Sequence, residues 1–185
     1  MDDVTVAQAF EAAIAAEKAA ERLFQGLEAK FAHREDVAMF WEQYARDEAE
    51  HAQWLEDLKA RLTPQRLSEP VDAHIVEMLQ VVTGYSVDQA LLRVRNLEDA
   101  YRLVNDIENS ETNAIFRFLL NNFEKDEQLR DFLQAQLNKH ISRLSIDLPV
   151  EYKASCLARR FKRWSRAPKA RGSWFVSYLT TWLLN

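Results

Sequence analysis

Cysteine is almost missing from this 185-residue chain. Cys156 stands alone, so an internal disulfide is excluded, as are the paired Cys-x-x-Cys knuckles of a rubredoxin or zinc ribbon. With only three glycines and four prolines, there is little turn chemistry for a hairpin-rich sheet. The opening residues, MDDVTVAQAF, have neither a basic n-region nor an unbroken apolar stretch, so no secretory signal is expected and the setting is read as reducing and cytoplasmic. A glycine-rich phosphate loop and a serine-nucleophile motif are also missing.

Ala, Leu, Glu, Arg and Gln are abundant instead, residues that favour long helices. The length suits one domain that buries its own core. The net charge of -5 is unevenly spread: residues 150–185 hold 8 Lys+Arg and one acid, leaving 16 of the 24 basic and 28 of the 29 acidic residues in positions 1–149. We therefore expect an all-α body over residues 1–148 and a basic, aromatic-rich tail over 149–185, each meeting different surroundings.

Apolar residues at three- and four-residue steps predict a first helix from Val4 to about Ala32 (Val6, Phe10, Ile14, Phe24, Leu27, Phe31). A second runs from Glu35 through Val37, Phe40, Tyr44, His51, Leu55 and Leu58, and must return antiparallel. Thr63-Pro64 ends it. The long connection to Tyr85, with a short apolar run from Ile75 to Val82, permits a crossover along a bundle. Ser86 is placed as N-cap of a third helix, through Leu91, Val94, Leu97, Tyr101 and Val104. The stretch Asn109–Asn113 is read as a tight turn, with Thr112 capping a fourth helix. A weak internal repeat supports this register: Gln8-Ala9-Phe10 precedes Glu17 as Gln89-Ala90-Leu91 precedes Glu98, and Ala38-Met39-Phe40 precedes Glu48 as Ala114-Ile115-Phe116 precedes Glu124. Two helices, a crossover and two more helices describe an antiparallel four-helix bundle.

The chemistry-bearing motif is Glu48-Ala49-Glu50-His51. Residues three apart share a helix face, so Glu48 and His51 can address one cation. Both fall on the apolar stripe between Tyr44 and Leu55, where an ionised carboxylate must be paired, protonated or metal-bound. Glu17 sits on the inner stripe of the first helix and Glu98 on that of the third.

Together these residues resemble the rubrerythrin and ferritin-like di-iron family. The resemblance covers about residues 4–145 and rests on AAEKAAERLF around Glu17, DEAEHAQWL around Glu48 and His51, and SVDQALLRVRNLEDAY around Glu98. It implies a ferritin-like bundle holding two iron ions, with manganese as the alternative. Glu48 and Glu124 would bridge, Glu17 and Glu98 would be terminal ligands, and His51 and Glu127 would complete the shells, with no catalytic residue apart from the ligands. The chain departs from the family in Glu124-Lys125-Asp126-Glu127, where Glu-x-x-His is expected, and in Phe24, where many relatives carry tyrosine. A competing register uses Glu108 and His140, but Leu137 stands three residues before His140, so that site lacks its second bridging carboxylate. The resemblance further implies an oxidoreductase that oxidises ferrous iron or reduces peroxide or dioxygen. Its electron donor would be a separate protein, since no rubredoxin module is present.

The rival reading is a metal-free bundle that acts through its tail. RRFKRWSRAPKAR at 159–171 interleaves cations with Phe161 and Trp164, and GSWFVSYLTTWLLN would form an amphipathic helix too short to span a bilayer. Packing on the bundle or a second copy, peripheral membrane attachment or docking to another protein each fit it; nucleic acid is not the expected partner. His33 and His74 are read as surface residues, and Gly26 as permitting close helix approach.

Overall fold

The computed structural model describes residues 4–83, 86–108 and 111–147. The tail expectations lie outside these residues, as do Gly84 and the Asn109-Ser110 part of the predicted turn.

Helix α1, Val6–Lys30, opens with a reciprocal cap: Gln8 N–H donates to the Thr5 hydroxyl while Thr5 N–H donates to Gln8 Oε1. It buries Phe10, Leu23, Phe24 and Leu27 on one face, and α2, Glu35–Ala60, buries Trp41, Tyr44, Leu55 and Leu58 against them. The two run antiparallel, with Lys18–Glu56 and Lys59–Glu11 pairs at 2.6 and 3.0 Å across their outer seam. Such exposed pairs contribute little; burial of the facing stripes holds the hairpin.

After the single turn α3, Pro64–Leu67, helix α4, Ala73–Thr83, crosses the bundle against α1 and α7. The chain start is stitched to this connection by Val6 N–H to Glu69 O and Val71 N–H to Val4 O, both 2.9 Å. A third arm follows, made of α5 (Val87–Arg93), α6 (Leu97–Glu108) and α7 (Glu111–Phe123), and α8 (Glu127–Ile146) is the fourth. The third arm runs antiparallel to α1: the Phe123 ring lies 5.6 Å from Phe10, while Leu91 covers Gly26 at the far end. A Cβ on Gly26 would stand 2.4 Å from Leu91 Cδ1, so glycine is what lets α5 approach.

The expected all-α bundle with one long crossover is present, but the last two arms are divided differently. The third predicted helix breaks at Val94–Asn96, where Asn96 accepts from Asp99 N–H and restarts the chain as α6. Thr112 lies inside α7 rather than capping a helix. The turn between the last two arms falls instead at Glu124–Asp126, where the Asp126 carboxylate accepts from Gln128 and Leu129 N–H at the start of α8.

Two apolar clusters fill the bundle. One surrounds Phe10, Leu58, Phe116, Phe123 and Leu137, the other Phe24, Trp41, Tyr44, Val104 and Leu144. Polar residues are buried between them.

Candidate metal centre

Five side chains from four helices meet in that middle layer: Glu17 from α1, Glu48 and His51 one turn apart on α2, Glu108 from the end of α6, and His140 from α8. None is more than 5% exposed. The stripe period that buries Phe10 and Phe24 carries Glu17 inward with them, and the one that buries Tyr44 and Leu55 does the same for Glu48 and His51.

The donor atoms form two groups, Glu17/Glu48/His51 and Glu48/Glu108/His140, and within each group they lie inside 4.8 Å of one another. Glu48 belongs to both, one oxygen to each. Its Oε2 is 3.0 Å from His51 Nδ1, which also lies 3.6 Å from Glu17 Oε2; its Oε1 is 3.0 Å from His140 Nε2, which also faces Glu108 Oε1 at 3.1 Å. The imidazole centroids are 5.1 Å apart.

Burial, reinforced by the Glu48 charge, pushes the Glu17 carboxyl up to about 8. Burial would raise Glu48 too, but hydrogen bonds from His140 and His51 prevail and hold it well below the carboxylate range. Desolvation acts to lower both imidazoles and is outweighed by their carboxylates. His51 stands at about 9 through Glu17 and Glu48, and His140 at about 12 through Asp47, Glu108 and Glu48. Protons thus occupy the spaces between acidic oxygens that a cation would otherwise fill.

Of the residues singled out from sequence, Glu17, Glu48, His51, Glu108 and His140 come together, the last two in the competing register. Glu98, Glu124 and Glu127 do not join them. Glu98 pairs with Arg102 at 3.1 Å on the side of α6. Glu124 is buried, but its carboxylate accepts from Arg61 and from Asp126 N–H, tying the turn to the end of α2. Glu127 is 83% exposed in the first turn of α8. Moving the turn to Glu124–Asp126 shifts every later residue along the bundle, which removes these acids and brings in Glu108 and His140. His33 and His74 are exposed, as expected.

Sequence reasoning missed the residues behind His140. Asp47 Oδ2 lies 3.1 Å from His140 Nδ1 and 2.6 Å from Arg143 Nη1, the Arg143 guanidinium sits 4.6 Å over the Tyr44 ring, and the Tyr44 hydroxyl donates to the His140 carbonyl at 3.0 Å. Burial pushes the Tyr44 phenol up, so it stays a neutral donor. A signal was present: Tyr44 and Asp47 are three apart, as are His140 and Arg143, giving each pair one helix face.

An antiparallel four-helix bundle with one long crossover and a buried carboxylate–histidine layer is the architecture of the ferritin-like proteins. The rubrerythrin family model matches residues 8–138, well over half of the chain, and the chain belongs to that family. No curated protein and no solved structure matches it.

The family implies a metal pair, and the residues fit one. Three carboxylates and two imidazoles are ligands iron accepts, and Glu48 already divides its oxygens between two groups. The Glu17 Oε1 atom is buried without a hydrogen-bond partner, a cost expected to be relieved by a cation.

Proposed function

We propose that this protein is a non-haem di-iron oxidoreductase that oxidises ferrous iron or reduces peroxide or dioxygen. The observation that carries the reading is the shared Glu48, buried with one oxygen in each of two three-ligand groups. Glu17 and His51 would complete one position, Glu108 and His140 the other. Such a metal pair, when bound, supplies two electrons to an oxygen substrate.

The chain's own part is to hold five donors in place and exclude bulk water. The buried Phe116 ring lies 5.4 Å from His51 and the buried Tyr44 ring 4.5 Å from His140, so aromatic rings border the centre. His51 and His140, both protonated without metal, give up those protons when their nitrogens become ligands. Electrons to restore the reduced state would come from a donor outside these 185 residues, whose one cysteine cannot make a rubredoxin module.

Anaerobic titration of metal-stripped protein with ferrous iron, followed by air and absorption spectroscopy, tests this reading. Two irons per chain and an oxo-bridged ferric band, both lost in Glu48→Ala, are the expected result. Absence of stoichiometric uptake would sink it.

One observation favours a second reading. Leu137 is fully buried where a second bridging carboxylate would stand, and the five polar residues already pair among themselves. On that reading the layer is a structural ion-pair network, the bundle is metal-free, and function resides in the tail.

A further inference from the structure

With Leu137 three residues before it, His140 is the one candidate ligand that α8 brings to the centre among the described residues. A lone imidazole is a useful ligand only if its ring is fixed in one orientation and tautomer. Histidine rings are fixed through the nitrogen that does not face the metal. Here that nitrogen is Nδ1, 3.1 Å from Asp47 Oδ2, while Nε2 faces Glu48 and Glu108 at 3.0 and 3.1 Å. An ionised carboxylate can only accept, so each ring nitrogen of metal-free His140 carries a hydrogen; a cation would displace the one on Nε2, while Asp47 keeps the other on Nδ1 and so fixes Nε2 as the ligand atom.

Asp47 precedes Glu48 in sequence and could compete as a ligand itself. It is withheld by Arg143, whose Nη1 lies 2.6 Å from the same Oδ2. Arg143 is in turn stacked over Tyr44, and Tyr44 holds the His140 carbonyl. Two residues of α2 and one of α8 therefore close a box around one ligand, gripping both its ring and its backbone.

We propose that Asp47 is the positioning residue of the Glu48/Glu108/His140 position. It aims His140 Nε2 and, as a charged acceptor on Nδ1, strengthens the imidazole as a donor, which offsets part of the negative charge missing at Leu137. Arg143 keeps Asp47 out of the metal shell. The proposal rests on the two-metal reading above and concerns one of the two positions only.

The test is stepwise anaerobic binding of ferrous or cobaltous ion to the full chain, resolving both dissociation constants, for wild type, Asp47→Asn and Asp47→Ala. His51→Ala and His140→Ala identify which step belongs to which position, and Asp57→Asn, exposed on the same helix, is the control. Loss of Asp47 should weaken the His140-dependent step by about 10–100-fold and leave the His51-dependent step unchanged. Asp47→Ala should lose at least as much as Asp47→Asn, whose amide can still accept from Nδ1. Unchanged affinity at both steps overturns the proposal while the two-metal reading stands. Equal weakening of both steps, with a lower melting temperature of the metal-free protein, also overturns it by making Asp47 a general support of the fold. A wild type that takes up no metal overturns both.

Discussion

At the scale of single residues, the metal-free centre is a store of protons. Glu17 at about 8 and His51 at about 9 lie above their ordinary values of 4.5 and 6.5, so the folded chain binds more protons than the unfolded one between those limits. Their contribution to stability is complete below the ordinary values and is lost as pH rises through the folded ones. Glu48 is lowered and works in the opposite direction, at acid pH. The melting temperature of metal-free protein should therefore fall as pH rises from about 6 to 9. Because a metal displaces the same protons, ferrous affinity should rise over that range, with proton release measurable by calorimetry in buffers of different ionisation enthalpy. Metal uptake without proton release would contradict these positions.

Leu137 gives a second prediction at this scale. Leu137→Glu puts a carboxylate in a fully buried position, so metal-free protein should lose about 2–4 kcal/mol in denaturant melts. With ferrous iron present the new acid becomes a ligand, and the loss should shrink or reverse. A variant equally unstable with and without metal would argue for the structural ion-pair network.

At the scale of elements, Gly26 and Asp126 are the sensitive points. Gly26→Val drives a branched side chain into Leu91 and should cost about 1–3 kcal/mol, part of it recovered by Leu91→Ala in the same chain. Asp126→Ala removes the acceptor of two amides at the head of α8 and should cost about 1 kcal/mol. The same contrast explains what the sequence could disclose. The α1–α2 hairpin and the crossover were legible because their stripes are long and regular, and Glu17, Glu48 and His51 ride on them. The last two arms were not, because the stripe of α7 through Leu119, Leu120 and Phe123 resumes in α8 at Leu133 and Leu137, so periodicity alone does not mark the turn. Asn109–Asn113 looked like a break by composition, yet Asn113 is helical. The true signal was Asp126 ahead of Leu129 and Leu133, an N-cap before an apolar stripe, and reading Glu124 and Glu127 as ligands concealed it. Asp47 and Arg143 were hidden for another reason: charged residues on a helix are ordinarily solvated, and only the arrival of α8 beside α2 makes partners of them.

At the scale of the whole molecule, every candidate donor among the described residues lies between positions 17 and 140, and no helix among them is long and apolar enough to cross a membrane. A chain cut after Asp147 should keep the metal stoichiometry of the full protein. If the basic, aromatic tail acts at lipid surfaces, the same cut should abolish pelleting with anionic vesicles; unchanged pelleting removes that role. The acidic body and basic tail should also make any such association fall steeply as salt is raised.

On the two-metal reading, the divided Glu48 carboxylate makes the two positions partners in a single equilibrium. An ion entering either one draws on the anion that the other also needs, so its neighbour's affinity must change, and by reciprocity each ion alters the other by the same factor. Filling one position with zinc and then titrating the second with ferrous iron, in both orders, would measure that factor directly. Exchanging Glu48 would abolish the coupling along with the binding, whereas exchanging any of the other four ligands would touch one partner first and reach the other only through Glu48.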